Sequence, residues 1–135
     1  MAIQDKVIAG ILVLHSALGA IWTYAVGAQL GFPASFLVSN FVLVAIGTVA
    51  GIGCFAGQRW AAYLGLLFFA IQLVHLVTPG FHFSFTLGLN FVISAGWFGS
   101  GQVGLNLFAL AMLLWLGIRV HASNGSFKKR VHESA

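Results

Sequence analysis

Charged side chains are confined to a few short regions of this sequence. The stretches 7–58 and 60–118 contain no Asp, Glu, Lys or Arg. The whole chain is 60% hydrophobic and 6% charged, whereas a soluble domain carries about 25% charged residues. A water-exposed surface cannot be assembled from this set of residues. The sequence therefore predicts an integral membrane protein, and its 135 residues suffice for one domain.

Four apolar segments are long enough to cross a membrane as helices. A bilayer core about 30 Å thick needs roughly 20 apolar residues in helical form. The predicted spans are 7–30, 35–57, 60–77 and 102–120, within a membrane domain over 1–121 and followed by a basic tail over 122–135 that is expected to be irregular at its end. The first span is too long for the apolar region of a signal peptide, so we expect it to be retained. The predicted fold class is an all-α membrane protein, a four-transmembrane-helix bundle.

One segment, 81–95, has a different period. Its odd positions are apolar and most of its even positions are small or polar, which is the alternation of a β-strand. We predict a short extracytoplasmic β-hairpin between the third and fourth helices, with a turn at Thr86-Leu87-Gly88 and a left-handed conformation at Gly88. The predicted register pairs 85 with 89, 83 with 91 and 81 with 93. It collects one apolar face, which consists of Phe81, Phe83, Phe85, Leu89, Phe91 and Ile93.

This apolar face must cover something, because a lone two-stranded hairpin is marginal in water. Three partners are open: the helix ends of the same chain, the lipid interface, or a neighbouring subunit. The unpaired edges of a hairpin also invite pairing with another chain. We therefore predict the six residues of the face as a partner or oligomer contact.

The distribution of Lys and Arg predicts the orientation of the chain. All six basic residues lie before the first span, between the second and third, or at the end of the fourth and in the tail: Lys6, Arg59, Arg119, Lys128, Lys129 and Arg130. The positive-inside rule makes that side cytoplasmic. We expect a bacterial inner (plasma) membrane, both termini in the cytoplasm, and Lys128, Lys129 and Arg130 at anionic lipid headgroups. The net charge of +4 is thus explained by topology, and no nucleic-acid partner is expected.

Small residues recur four apart in the second span. They form the pairs Gly47-x-x-x-Gly51 and Gly53-x-x-x-Gly57. Such pairs let two helix backbones approach closely, and lipid supplies no hydrophobic drive to replace that contact. We predict these four glycines as helix-packing positions.

Catalytic and metal-binding groups are scarce. Asp5 and Glu133 are the only acidic residues, and neither lies in a predicted span. The spans therefore offer no carboxylate pair for general acid/base chemistry and no hard-cation site. The histidines have no i, i+3 or i+4 spacing, and His15 and His75 differ in predicted depth by roughly 10 Å, which is poor for two ligands of one haem. We expect no enzyme activity, no metal and no cofactor.

Polar residues in the outer half of the bundle could gather under the predicted hairpin. These residues are Asn40, Gln72, His75, His82 and Asn106. Together they could line a small pocket for a headgroup, a quinone or a partner's polar group. They could equally be interhelical hydrogen-bonding groups without a ligand.

The function expected from these patterns is non-enzymatic. We predict a small polytopic membrane protein that acts through assembly, as a homo-oligomer or as an accessory subunit of a membrane complex, in contact with membrane lipid. The alternative is an oligomeric channel or transporter for a neutral or anionic solute. A third hypothesis is a redox subunit that binds haem or quinone through His15 or His75.

Overall fold

A computed structural model describes residues 3–83, 85, 87–88, 90–97 and 99–134, and within these ranges the side chains of 28, 82 and 125–132 lie outside the description. The chain is mostly helical, with a small antiparallel sheet between its last two helices. The elements in order are α1 (Ile3–Leu30), α2 (Ala34–Phe55), α3 (Arg59–Leu73), β1 (Val74–Thr78), β2 (Phe81–Phe83), β3 (Val92–Trp97), β4 (Gly101–Asn106) and α4 (Leu107–Glu133).

Three of the described helices, α1, α2 and α4, are long and apolar enough to cross a membrane. The prediction of a four-helix bundle with strands between the third and fourth helices is confirmed at this level. The first two predicted spans coincide with α1 and α2 to within a few residues. The third helix, α3, is a shorter apolar helix of 15 residues.

The predicted boundaries of the third and fourth spans differ from the structure. Helix α3 ends at Leu73, and the next five residues form β1. That strand contains the β-branched residues Val74, Val77 and Thr78, and Pro79 follows, so the local sequence favours an extended chain over a helix. On the return, Gly101–Asn106 is also a strand, and α4 begins only at Leu107.

The sheet has the strand order β2-β1-β4-β3, with every neighbouring pair antiparallel. The predicted pairing of 81–85 with 89–93 is wrong. Instead, β2 pairs with β1 around a turn at Pro79-Gly80, and β3 pairs with β4 around a turn that includes Gly99. Two short turns close these hairpins locally, and the long-range β1–β4 pair joins them into one sheet.

The segment between β2 and β3 is not a hairpin turn; it enters the helical bundle. Leu87 is fully buried there and belongs to the hydrophobic core. Gly88 does adopt the predicted left-handed conformation, with φ +65°, but it does so against α1 and not at the tip of a hairpin. We call residues 84–91, of which the structure describes 85, 87–88 and 90–91, the re-entrant segment.

The hydrophobic core runs along the inside of the four helices and includes this segment. Its buried members are Ile8, Leu12, Leu43, Ala50, Phe68, Phe69, Leu87, Ala109, Met112 and Leu116. The tail was expected to be irregular at its end. In the structure, α4 instead continues as a helix through Glu133.

The two faces of the sheet differ in polarity and in burial. On one rung, Val74, Leu105 and Ile93 lie side by side, and all three are exposed apolar residues. On the next rung, His75 and Gly104 are buried, whereas Ser94 at the edge is exposed. An apolar face of this sheet is therefore left uncovered, whereas an antiparallel sheet in a water-soluble protein packs its apolar face on the core.

Candidate functional site

His15 on α1 and Gln72 at the end of α3 meet inside the bundle. The His15 ring nitrogen Nε2 lies 3.2 Å from Gln72 Oε1, and both residues are buried. Gln72 Nε2 donates to the Phe68 carbonyl oxygen at 3.3 Å, which directs Oε1 towards His15. The arrangement assigns the imidazole hydrogen to Nε2, because an amide oxygen can only accept.

The same Gln72 oxygen holds the re-entrant segment in place. The backbone N–H of Leu87 donates to Gln72 Oε1 at 3.2 Å. A buried backbone donor without a partner would cost several kcal/mol in an apolar interior (about 2–7 kcal/mol). Gln72 therefore joins α1, its own helix and the re-entrant segment through one side-chain amide.

Two glycines make room for the re-entrant segment against α1. A methyl group at Gly19 would overlap Leu87 Cδ2, and a Cβ at Gly88 would lie 2.8 Å from the His15 carbonyl oxygen and 2.9 Å from its Nδ1. Leu87 and Gly88 thus pack directly on one face of α1. Gly88 is constrained twice, by its positive φ and by this close approach.

Phenylalanine rings surround the His15 imidazole. Phe108 of α4 stacks on it with ring centroids 5.2 Å apart and an interplanar angle of 13°. Phe68 meets it edge-on at 5.7 Å, and Phe69 is tilted at 5.8 Å. His15 is therefore held by residues of α1, α3, α4 and the re-entrant segment, at the point where all four meet.

A second polar contact ties the re-entrant segment to the start of α4. Asn106 Nδ2 donates to Asn90 Oδ1 at 2.8 Å. The Asn106 side-chain oxygen accepts from the backbone N–H groups of Phe108 and Ala109, at 3.1 and 3.3 Å. Asn106 is thus the capping residue that starts α4 where the strand β4 ends.

The predicted polar pocket separates into distinct contacts. Gln72 bonds His15, and Asn106 bonds Asn90, while His75 lies on the polar face of the sheet. Asn40 is buried in α2, and its Oδ1 has no hydrogen-bond partner among the described residues. The side chain of His82 lies outside the described residues.

The sequence analysis did not predict the His15–Gln72 pair, although the positions of the two residues along their helices indicate it. His15 is twelve residues from the start of α1 and Gln72 is thirteen from the start of α3. At about 1.5 Å per residue, both lie roughly 18–20 Å from the same end of the bundle. Asn90 had no such signal, because its position depends on the path of the re-entrant segment.

The residues predicted as a partner contact do not form the single exposed face that the sequence predicted. Phe81, Phe91 and Ile93 are exposed. Phe83 and Phe85 pack edge-to-face with centroids 5.1 Å apart, beside α2. Leu89 lies outside the described residues. The exposed apolar side chains of the sheet also include Trp97, which is 73% exposed and was not among the predicted residues.

The predicted packing glycines occupy close contacts within the chain, with one exception. A Cβ at Gly47 would overlap Ser16 Oγ and meet the Phe68 ring at 2.6 Å. A Cβ at Gly51 would meet Val13 Cγ2 at 2.6 Å, and one at Gly53 would meet Ala61 Cβ at 2.5 Å. Gly57 has φ +70° and ends the turn after α2, with open space around it.

The cytoplasmic side predicted from the charges corresponds to one end of the bundle. Asp5 of α1 and Arg119 of α4 form an ion pair, with Arg119 Nη2 at 2.8 Å and Nε at 3.2 Å from the same carboxylate oxygen. Arg59 lines the same cavity as this pair. The side chains of Lys128, Lys129 and Arg130 lie outside the described residues.

The chemistry available at the His15 site is positioning by hydrogen bonds. One amide oxygen receives two donors, and three aromatic rings hold the imidazole. Among the side chains that the structure describes, no three His, Cys, Asp or Glu residues come together as a metal site would require. The arrangement supports a role in holding the re-entrant segment inside the bundle.

Comparison with protein-family models, with curated proteins and with solved structures finds no match to this chain. The class that the fold itself defines is a mostly helical protein with four helices, three of them long and apolar enough to cross a membrane, and a small antiparallel sheet between the last two.

Proposed function

We propose that this chain is a non-enzymatic integral membrane protein that acts through assembly, either with further copies of itself or as an accessory subunit of a membrane complex. The contact is made by the sheet, and above all by its edge strand β3. One observation carries the proposal: all six residues of β3 are exposed along an open edge.

The helix lengths support membrane insertion. Helix α2 has 22 residues, which at about 1.5 Å each span about 33 Å and match a hydrocarbon core of about 30 Å. The lipid-facing surface of such a protein is apolar, and exposed large apolar side chains occur along α1, α2, α3 and α4. Water would leave these side chains as an uncovered apolar surface.

The length of α3 implies that the base of the sheet is also immersed. Its 15 residues rise only about 22 Å, which leaves about 8 Å of hydrocarbon to be crossed. At about 3.3 Å per strand residue, that distance takes two or three residues of β1. The level of Val74 to Leu76 in β1 corresponds to Val103 to Leu105 in β4 and to Ile93 to Ala95 in β3.

A contact between α2 and the chain that follows β1 supports the same depth of the sheet in the membrane. Phe83 and Phe85 line an apolar groove together with Val38, Val42 and Ile46 of α2. Those helix residues lie about 6–18 Å below the start of α2, within the part of that helix that would cross the hydrocarbon.

An open strand edge at this depth requires a partner. Strand β3 pairs with β4 on one side, and none of the described strands lies on its other side. Lipid offers no hydrogen bonds to unpaired backbone N–H and C=O groups, and lipid-exposed sheet edges do not occur in the hydrocarbon region. Pairing of β3 with a strand or helix end of another chain removes this cost, and Ile93 and Trp97 add apolar area to the contact.

The charge distribution supports one orientation. Arg59 and Arg119 lie at the end of the bundle away from the sheet, which the positive-inside rule assigns to the cytoplasm of a bacterial inner membrane. In a Cys54→Ser background, a cysteine at Ser100 should react with an impermeant maleimide added outside intact cells. A cysteine at Ser123 should react only after the membrane is permeabilised. The reverse pattern would overturn the orientation.

Native mass measurement in a mild detergent tests the assembly. We expect a complex larger than one chain, either with itself or with a co-purifying subunit. The variant Ile93→Lys should weaken the complex, because it places a charge in the contact beside the β3 edge. The matched control Leu30→Lys puts the same charge on another exposed apolar residue at the sheet end of α1. A strictly monomeric wild type without partners would contradict the proposal.

A second candidate, conduction of a neutral or anionic solute, is favoured by the re-entrant segment. Irregular backbone at membrane depth occurs where it is buried in protein or lines a water-filled path. Flux assays in liposomes separate the two candidates: Leu87→Ala, which removes the side chain packed against Gly19, should raise the flux if a path runs there. Wild-type and variant liposomes that are equally tight would leave assembly as the function.

A further inference from the structure

We propose that the cytoplasmic end of the bundle holds a binding site for a phosphate group carried by an anionic phospholipid. The site is a cavity of about 420 Å³ between the ends of α1, α3 and α4 and the turn after α2. The inference rests on the proposed membrane insertion, but it concerns a different part of the molecule from the sheet contact. The proposal is made without residues 128–130, the basic cluster of the tail, whose side chains lie outside the described residues.

The cavity concentrates positive charge. Arg59 and Arg119 both line it, with Asp5 as the one acidic residue of the lining. The formal charges of these three side chains sum to one positive unit, and Asp5 forms an ion pair with the Arg119 guanidinium. Guanidinium groups bind phosphate oxygens through directed, charge-assisted hydrogen bonds, for which a compact ammonium has no equivalent geometry.

The N-terminus of α3 adds to the positive electrostatic potential in the cavity. Gln58 occupies the N-cap position of α3 without a side-chain capping bond, and it lines the cavity. The N-terminus of a helix carries a partial positive charge and N–H groups without intrahelical acceptors. Its 15 residues make α3 long enough for this effect, which supplements the two arginines and does not replace them.

The walls of the cavity change from polar to apolar with depth. Ile8 and Leu116 are core residues of α1 and α4, and they line the cavity on the side of the bundle interior. The polar residues lie towards the end of the bundle. A ligand with a phosphate at one end and hydrocarbon at the other matches this order, and basic pockets between membrane helices on the cytoplasmic side bind such headgroups.

The single cysteine offers a direct probe of occupancy. Cys54 lines the cavity and is half-buried. In proteoliposomes of wild-type protein, we expect N-ethylmaleimide to label Cys54 more slowly when phosphatidylglycerol is added to phosphatidylcholine. A third set of phosphatidylcholine vesicles with inorganic phosphate in the buffer distinguishes a lipid phosphate from the free anion.

Three variants are expected to change the protection of Cys54 by lipid to different extents. Arg59→Gln should weaken protection by phosphatidylglycerol about tenfold, the effect of losing one charge-assisted hydrogen bond to the phosphate. Lys6→Gln removes the same charge from the same end of the bundle at a residue that does not line the cavity, and its protection should match wild type. Ala62→Phe fills the cavity without changing charge and should abolish the dependence on lipid, which keeps the test independent of Arg119 and its ion pair.

Each outcome of the Cys54 labelling experiment either supports or overturns the proposed site. Protection by phosphatidylglycerol that depends on Arg59 supports the site with a lipid as its ligand, and protection by inorganic phosphate supports it with the free anion. Equal labelling in all three vesicle types, or equal loss in Arg59→Gln and Lys6→Gln, overturns the proposal. If the maleimide topology experiment still gives the expected sides, only the lipid site falls and the membrane assignment stands.

Discussion

Gln72 Oε1 accepts two hydrogen bonds at the centre of the bundle, one from His15 Nε2 and one from the backbone N–H of Leu87, each at 3.2 Å. The Gln72 side chain thus connects a residue of α1, twelve positions from its start, with a segment that enters from the sheet side. No other described side chain accepts from both of these groups.

Replacement of Gln72 by Leu should destabilise the protein. The variant keeps the volume but leaves the Leu87 N–H and the His15 Nε2 hydrogen without an acceptor, at a cost of about 1–3 kcal/mol for each buried group. Thermal unfolding in detergent measures the loss. The control is Ser39→Ala, whose exposed hydroxyl only bonds its own helix at the Ser35 carbonyl, and it should change stability by no more than about 0.5 kcal/mol. Equal melting temperatures for Gln72→Leu and wild type would refute the role of this amide.

Replacement of Gly19 by Ala should act on the re-entrant segment. The added methyl group overlaps Leu87 Cδ2, and overpacking of this kind typically costs about 1–3 kcal/mol. The control on the same helix is Gly10→Ala, where a Cβ meets nothing within 4 Å. There we expect no loss, or a gain of up to about 1 kcal/mol from helix propensity.

A double variant tests whether the Gly19 effect passes through Leu87. In Gly19→Ala with Leu87→Ala, the second substitution removes the atoms that clash with the first. The double variant should therefore be more stable than the sum of the two single changes predicts, with a coupling of about 0.5–3 kcal/mol. Strictly additive changes would mean that Gly19 and Leu87 do not touch.

Asn106 should be sensitive because it both caps α4 and binds Asn90. Asn106→Ala removes the cap and the amide contact together, and a lost cap alone costs about 0.5–2 kcal/mol. Asn106→Ser keeps a capping oxygen and gives up only the bond to Asn90, so its loss should be the smaller of the two. Chemical or thermal unfolding in detergent gives both values, and a Ser variant as unstable as the Ala variant would argue against the cap.

The Asp5–Arg119 pair should contribute little to stability. The Arg119 and Asp5 side chains are 29% and 36% exposed, respectively, and ion pairs that reach water are typically worth about 0.2–1 kcal/mol. A double-mutant cycle with Asp5→Asn and Arg119→Gln measures the coupling. We expect it to fall as salt is raised, because the charges lie within reach of solvent ions. A coupling free energy that does not change with ionic strength would indicate an ion pair that is shielded from water.

The helices could be predicted from the sequence because each is a long apolar run bounded by Gly, Pro or charge. Strands β1 and β4 could not, because each directly adjoins an apolar helix, and periodicity does not separate a short strand from the end of such a helix. The predicted third span ends at residue 77, but the structure has a hairpin turn at Pro79-Gly80, and α3 already ends at Leu73. Ile93 lies in a strand as expected, yet the partner of that strand, β4, lies after it in the chain.

Of the candidate site, the sequence indicated three of the polar participants but not Asn90 or Gly19, and not the contacts between them. His15, Gln72 and Asn106 stood out because polar residues are rare in apolar spans. Their grouping depends on the re-entrant segment, whose packing requires the fit of Leu87 against Gly19, and a fit between distant small and large residues leaves no periodic trace in the sequence.

The joining of α3 to β1 and of α4 to β4 has a consequence for biosynthesis. Strand β1, which directly follows α3, pairs with β2 on one side, and its other edge pairs only with β4, which comes later in the chain. The next helix brings that strand with it. During synthesis of the chain, β1 therefore stays half-paired until β4 has been made, so the α3–β1 and β4–α4 units complete their hydrogen bonding together.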